Sequence, residues 1–364
     1  MFTLDAVYGK LRDRWRDYQR WLRQAVAGPT LVLLLALLVT YSAVNPDTRQ
    51  LFVVGVVVGS ILALGALGLT LIYGVLKFGN FAHGDMMVLG GYFAFLFLTG
   101  RVLREGRADT ELTPGSLDSL PGSLDRIGDL TFGYGLILAT GLSALAMAVL
   151  FVGLDRLIYR PLRRRRASIV IFAIASLGVA LIVRSAVLIF WGPDPRVFVT
   201  GIHPAQSLPF DVTLKTDQMF ILGVAVSLTA LVYILLYRTK LGKAMRAMAD
   251  NADLARISGI DTERVTVWTW AVGGALVAVA GVLLAVQSQL NPQLGFVILL
   301  PLFASAILGG VGHPVGALVG GMIVGIAQEV STEYFAPGYK PGVAFVILIT
   351  ILLLRPRGLF GARL

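Results

Sequence analysis

Residues 51–76 read LFVVGVVVGSILALGALGLTLIYGVL, a run without one charged side chain. As a helix rising ~1.5 Å per residue it is long enough to cross the ~30 Å hydrocarbon core of a bilayer. A helix on the surface of a water-soluble domain would show a polar face over that length, and this one shows none. Outward from it, further apolar stretches occupy 29–44, 86–100, 132–158, 168–191, 219–237, 265–290, 296–309, 314–330 and 341–354. The fold class that follows is an all-α polytopic membrane protein, a bundle of about ten hydrophobic segments, some of them discontinuous.

Composition agrees. Apolar residues make up 56% of the 364-residue chain and charged residues 14%, against about 25% charged in a soluble domain. The net charge of +10 is explained by topology, because Lys and Arg accumulate on the cytoplasmic side of membrane proteins. With a cytoplasmic N-terminus, 21 of the 31 Lys and Arg fall on inner segments and 8 on outer ones, and Arg156 and Arg184 lie in or at the edge of spans. Both termini are then expected in the cytoplasm. An N-terminal arm alternates Arg14, Arg16, Arg20 and Arg23 with Trp15, Tyr18 and Trp21, which suits anchoring on anionic membrane lipid; nucleic acid is not an expected partner.

Enzyme chemistry is not expected. The chain has no cysteine, its three histidines (His83, His203, His313) are far apart, and neither metal-ligand spacing nor a nucleophile–base–oxyanion constellation emerges. No metal or cofactor site is expected on this chain.

Three features bear on function. Glycines recur four apart at Gly55 and Gly59, Gly316 and Gly320, and Gly321 and Gly325, a spacing that lets helix backbones approach closely where lipid supplies no hydrophobic drive. Two glycine-rich turns, Gly79-Asn-Phe-Ala-His-Gly-Asp85 and Gly309-Gly-Val-Gly-His-Pro314, are of the kind that breaks helices beside a cavity; both are expected at the cytoplasmic ends of their helices. The third is the polar stretch 238–264, in which residues 242–257 predict a short amphipathic helix with Leu241, Met245, Met248, Ala252 and Ala255 on one side and Gly259 as its stop. Its small alanines and mixed charges suit docking into a protein groove better than lying on a membrane.

Ionisable and polar groups at membrane depth are functional candidates: Asn80, His83, Asp85, Arg184, Gln287 and Glu329. Arg184 either meets a substrate carboxylate or forms an ion pair with Glu329 or snorkels to the outer interface. Asn80, His83 and Asp85 either form part of a gate or, for His83 and Asp85, cap a helix start. Gln287, with Gln289 and Asn291, either greets substrate or simply ends a helix.

Three separate stretches resemble one family, the branched-chain amino acid ABC transporter permeases, which include urea-type permeases. They are Leu69-Thr-Leu-Ile-Tyr-Gly-Val-Leu-Lys-Phe-Gly-Asn-Phe-Ala-His-Gly-Asp85, the loop 238–264, and Leu308-Gly-Gly-Val-Gly312 with Pro314-Val-Gly-Ala317. The resemblance spans residues 51–358. Outside it lie a basic arm at 1–28 and an extra membrane helix at 29–50, which make the chain longer than the short form of the family, and a tail at 359–364; the resemblance implies a permease domain at 51–358 in a bacterial inner membrane. It also implies a coupling loop in which Arg246, Ala249, Asp250, Asn251, Leu254, Ala255, Ile257 and Gly259 meet the ATPase. Implied partners are a second permease subunit, homologous or identical, two cytoplasmic ATP-binding subunits and a periplasmic or extracellular solute-binding protein. ATP is used by those partners: Gly242-Lys243 is followed by Ala and lacks the glycine-rich approach of a phosphate-binding loop. The expected function is a permease for branched-chain or related amino acids. Alternatives are a permease for urea, short amides or another small polar solute, and, of another class, a stand-alone secondary transporter or channel.

Overall fold

The computed structural model of the chain describes residues 45–102, 110–111, 116–198, 205–208 and 212–360. The basic arm 1–28, the apolar segment 29–44, His203 and residues 361–364 lie outside the described residues. All nine predicted segments that fall within them are helical. They are α1 (Pro46–Leu76), α2 (His83–Thr99), α3 (Tyr134–Leu154), α5 (Ile169–Trp191), α6 (Thr216–Arg238), α9 (Thr262–Gln287), α10 (Leu294–Gly309), α11 (Pro314–Val330) and α12 (Lys340–Leu354). Among the described residues, seven spans are long and apolar enough to cross a bilayer. Residues 46–50, assigned by sequence to the preceding unit, belong instead to α1, which Pro46 opens at a position where a missing N–H costs nothing.

Successive helices of the bundle alternate in direction. One end carries α4 (Arg160–Arg164), joined to α3 by a π-helical turn at Asp155–Tyr159, and the short helices α7 (Lys240–Asp250) and α8 (Ala252–Ile257). The cluster Arg163–Arg166 lies there, which assigns this end to the cytoplasm. The other end carries two small antiparallel strand pairs, β1 (Arg101–Val102) with β2 (Thr110–Glu111) and β3 (Ala205–Leu208) with β4 (Val212–Lys215).

The centre is built on glycine. On α1, Gly55 and Gly59 lie directly against Met322, Gly325 and Ile326 of α11, and Ala63 lies against Gly321, so that two of the four-apart glycine pairs meet each other. The third pair, Gly316 and Gly320, packs on Gly309 and the Ser305 carbonyl of α10. A methyl group on Gly325 would overlap the backbone of Gly59 and sit 3.0 Å from the Gly55 oxygen, and overpacking of this kind costs about 1–3 kcal/mol or more. Gly325→Ala is therefore expected to lower the thermal midpoint of the purified protein. Gly223→Ala on α6, whose added carbon meets nothing within 4 Å, is expected to leave it unchanged or raise it slightly.

Helices α2 and α10 are short for a membrane span: α2 has 17 residues and α10 has 16, about 25 Å each. Their starts meet. Gly84 lies against the Gly295 carbonyl, and a methyl group on Gly295 would come within 2.7 Å of the Asp85 Cα. Both starts are built alike. The Asn80 carbonyl accepts from His83 N (3.2 Å) and its Oδ1 from Ala82 N (3.1 Å); the Asn291 carbonyl accepts from Leu294 N (3.0 Å) and its Oδ1 from Gln293 N (2.9 Å). From this junction α2 runs to the outer end and α10 to the cytoplasmic end.

The junction is deep, which corrects the expectation that Asn80, His83 and Asp85 sit at the inner ends of their helices. The connection after α1 starts at the cytoplasmic end, with Phe78 packed among Tyr159, Phe172 and Trp270. It then climbs: Phe81 N donates to Ser176 Oγ of α5 (3.1 Å), and His83 Nε2 reaches the Gly65 carbonyl (2.8 Å). Gly65 is eleven residues, or about 16 Å of helix, before the end of α1.

Candidate functional site

At the junction stands an ion pair. Asp85, in the first turn of α2 and almost wholly buried, receives Arg184 of α5 through two parallel bonds, Nε to Oδ1 and Nη2 to Oδ2, each 2.9 Å. The planar fork matches the carboxylate in this geometry, which lysine cannot reproduce. The positive ends of α2 and α10 both converge on the aspartate, a placement that favours negative charge. The guanidinium carbon also lies 5.3 Å from the centroid of the Phe296 ring, within cation–π range. The expected Arg184–Glu329 pair is therefore not formed. Glu329 is held instead by Lys340 at the start of α12, Nζ lying 2.7 Å from each carboxylate oxygen.

The expectation that His83 and Asp85 cap α2 is also corrected. No side chain caps that helix end; Asn80 forms the turn that opens it. His83 is fully buried, and since the Gly65 carbonyl can only accept, the imidazole proton sits on Nε2. Its Nδ1 is buried without a partner among the described residues.

Part of the Arg184 side chain reaches the surface (24% exposed), in company with Phe296 (59%) and Phe81 (39%). Phe81 stacks on Phe303 with ring centroids 5.3 Å apart. The sequence reading missed this aromatic surround. Its signal was present: Phe296 and Phe303 are seven apart and share one face of α10.

Gln287 stands apart from the pair, at the outer end of α9. Gln218 Nε2 donates to its Oε1 at 3.4 Å, and both line a cavity of about 220 Å³ with Thr131, Lys215, Asp217 and Ser288. Asp217 there accepts from Thr131 N (3.0 Å) and Oγ1 (2.6 Å).

The polar stretch at the cytoplasmic end is two helices, not the one predicted. Asn251 breaks it: its backbone is extended and its Oδ1 accepts from Asp253 N and Leu254 N, a side-chain bond that competes with continuing the helix. Gly259, with φ of +85°, follows α8 as the stop the sequence predicted. The stripe foreseen as docking outward faces inward in part: Met245, Met248 and Ala255 are buried against the bundle. Arg246 lies over the Tyr237 ring at 4.8 Å, and the Ala249 carbonyl accepts from Lys77 Nζ at 2.5 Å. Asp250 and Asn251 are exposed. Leu254 and Ile257 are left pointing outward, 57% and 82% exposed.

Known proteins resemble this chain over most of its length. The family model described as branched-chain amino acid transport system / permease component matches residues 51–352. The high-affinity branched-chain amino acid transport system permease protein BraD of Pseudomonas aeruginosa is 31% identical over 317 residues, 86% of this chain and 95% of that protein. LivH of Escherichia coli K12 is 31% identical over 313 residues, 84% of this chain and 93% of that protein. The autoinducer 2 import system permease LsrC of Yersinia pestis is 26% identical over 216 residues, 56% of this chain and 59% of that protein. Among solved structures, PsaBC from Streptococcus pneumoniae in complex with Fab gives a TM-score of 0.40 at 16% identity, over 85% of this chain and 92% of that one. With the family model covering most of the bundle and near full-length relatives at 31% identity, this chain belongs to the family of branched-chain amino acid ABC transport permease components, multi-pass proteins of the bacterial inner membrane.

Proposed function

We propose that this permease carries branched-chain amino acids inward, and that the face between α5 and α10 lines their path. The observation that carries the placement is the partly exposed Arg184–Asp85 pair beside Phe296 and Phe81. A charge at this depth turned toward acyl chains is unfavourable by several kcal/mol or more, so the face is covered by water or by a second permease subunit. Arg184 spends Nε and Nη2 on Asp85, which leaves the Nη1 hydrogens for a substrate carboxylate without breaking the pair. A zwitterionic amino acid adds no net charge there, and the aromatic rings offer an apolar side chain its contact.

The remaining parts of the machine are separate chains. Two cytoplasmic ATP-binding subunits hydrolyse ATP and dock on α7–α8, and a solute-binding protein delivers substrate to the outer end, where Gln218 and Gln287 stand. The permease then needs only two arrangements with unequal affinity for the states of those partners. The test is uptake of labelled leucine and labelled urea into cells expressing the complete system, with this subunit removed or with an inactive ATP-binding partner. Loss of leucine uptake in both strains is the expected result. Loss of urea uptake alone would change the cargo. Uptake indifferent to the inactive partner would overturn the reading in favour of a stand-alone transporter.

A further inference from the structure

Lys77 ends α1 in a left-handed conformation, φ 59° and ψ 26°, with its N–H closed on the Tyr73 carbonyl at 2.8 Å. That backbone belongs by default to glycine, which has no Cβ to crowd the neighbouring carbonyl. Glycine is abundant in this chain and fills the equivalent stop of α2, where Gly100 has φ of +65°. Lysine at the end of α1 therefore points to a use for its side chain. The side chain leaves the helix end and donates from Nζ to the Ala249 carbonyl. Ala249 is in the last turn of α7, whose carbonyls lack intrahelical donors and carry the negative end of the helix dipole, a good seat for an ammonium group.

The tie has a particular position. A cavity of about 240 Å³ separates α7 from α1, with Thr70 and Gly74 on one side, Met245 and Asp250 on the other and His313 beside them. Ala249, which accepts from Lys77, also lines the cavity. On its far side Lys77 is the first residue of the climbing connection, whose next members are fixed in turn: Phe78 among the aromatic rings, Asn80 in its own turn, Phe81 on Ser176. Eight residues on is Asp85. We propose that Lys77 is the positioning residue through which movement of α7 is passed to the connection that carries Asn80, His83 and Asp85. This rests on the reading of α7–α8 as the segment that docks the ATP-binding subunits.

The arrangement supplies its own test. Lys77→Gly removes the ammonium group and relieves the left-handed backbone at the same time, so the fold is kept. The complete complex in proteoliposomes is assayed for labelled leucine delivered per ATP hydrolysed. Lys77→Gly is expected to assemble, to melt no lower than the parent, to continue hydrolysing ATP, and to deliver about tenfold less leucine per ATP, within the usual range of coupling between sites. Lys77→Arg, which restores a donor, is expected to recover most of the loss. An unchanged ratio in Lys77→Gly, or equal defects in the Gly and Arg variants, would overturn the proposal. A parallel arm with Ile257→Asp separates the two readings. If that variant transports normally, the docking reading has failed and the role of Lys77 goes with it. If it loses transport while Lys77→Gly does not, only the role of Lys77 is lost.

Discussion

Asp85→Asn is expected to weaken the folded protein and to stop transport, and Asp85→Asn combined with Arg184→Gln is expected to restore the first without the second. The single change leaves the Arg184 guanidinium at membrane depth with no carboxylate. Breaking one side of a buried pair costs about 3–5 kcal/mol, and with Arg184 24% exposed the lower end of that range applies. In the double variant two neutral amides face each other and can still exchange a hydrogen bond, so the unpaired charge is gone and stability returns to within about 1 kcal/mol of the parent. Transport behaves differently if Arg184 Nη1 receives substrate. Both variants then lack the cation, or hold it in the wrong place, and leucine uptake stays more than about tenfold down, the equivalent of one lost charged hydrogen bond of ~1.5–3 kcal/mol. Thermal melting of the purified protein and uptake by the complete system are the two readouts. Recovery of uptake in the double variant to within a factor of two would make the pair a structural brace and remove it from the path.

The parts of this molecule that sequence conveys are those that lipid dictates. Every backbone polar group in a bilayer must be paired within the protein, which leaves long apolar helices as the spanning element; that is why residues 51–76 and the later stretches were legible from one chain. The glycine pairs were legible as a motif but not as partners: nothing in Gly55 or Gly325 says that each finds the other across α1 and α11. The depth of Asp85 was hidden for a related reason. A short polar turn between two apolar runs reads as an interfacial loop, and only Ser176 and Gly65, 95 and 18 residues from their partners, draw it inward. Arg184 reads as out of place in lipid, but sequence leaves its partner open: Glu329 is as isolated an acid as Asp85, and nothing in the chain order says that Lys340 holds the one and Arg184 the other. The Asn80 turn has a counterpart in the Asn291 turn, which shares its hydrogen bonds and only one residue type, so sequence does not show the likeness.

Leu254→Asp with Ile257→Asp is expected to detach the ATP-binding subunits from an otherwise intact permease. Both side chains lie on α8, on a segment whose other apolar residues, Met245, Met248 and Ala255, are already buried in the bundle. What remains exposed is therefore surplus to the fold. Two neighbouring aliphatic side chains turned outward beside the exposed polar residues Asp250, Asn251 and Asp253 have the make-up of an anchor with a polar rim. Full burial of a Leu or Ile side chain stabilises by about 1.5–3 kcal/mol; since each is already partly covered, the pair accounts for about 3 kcal/mol, a hundredfold in affinity. Placing a carboxylate in the same groove adds the cost of desolvating it. Titration of labelled ATP-binding subunit onto the permease in lipid nanodiscs is expected to show a loss of a hundredfold or more. Arg256→Ala, which removes only an exposed 3.8 Å ion pair with Asp253, is expected to change binding less than about fivefold. Because neither Leu254 nor Ile257 supports the bundle, the melting temperature of the isolated permease is expected to stay put in the double variant. Unaltered binding of the ATP-binding subunit would place α8 on the membrane surface instead, and the same variant would then lower the protein's affinity for lipid vesicles.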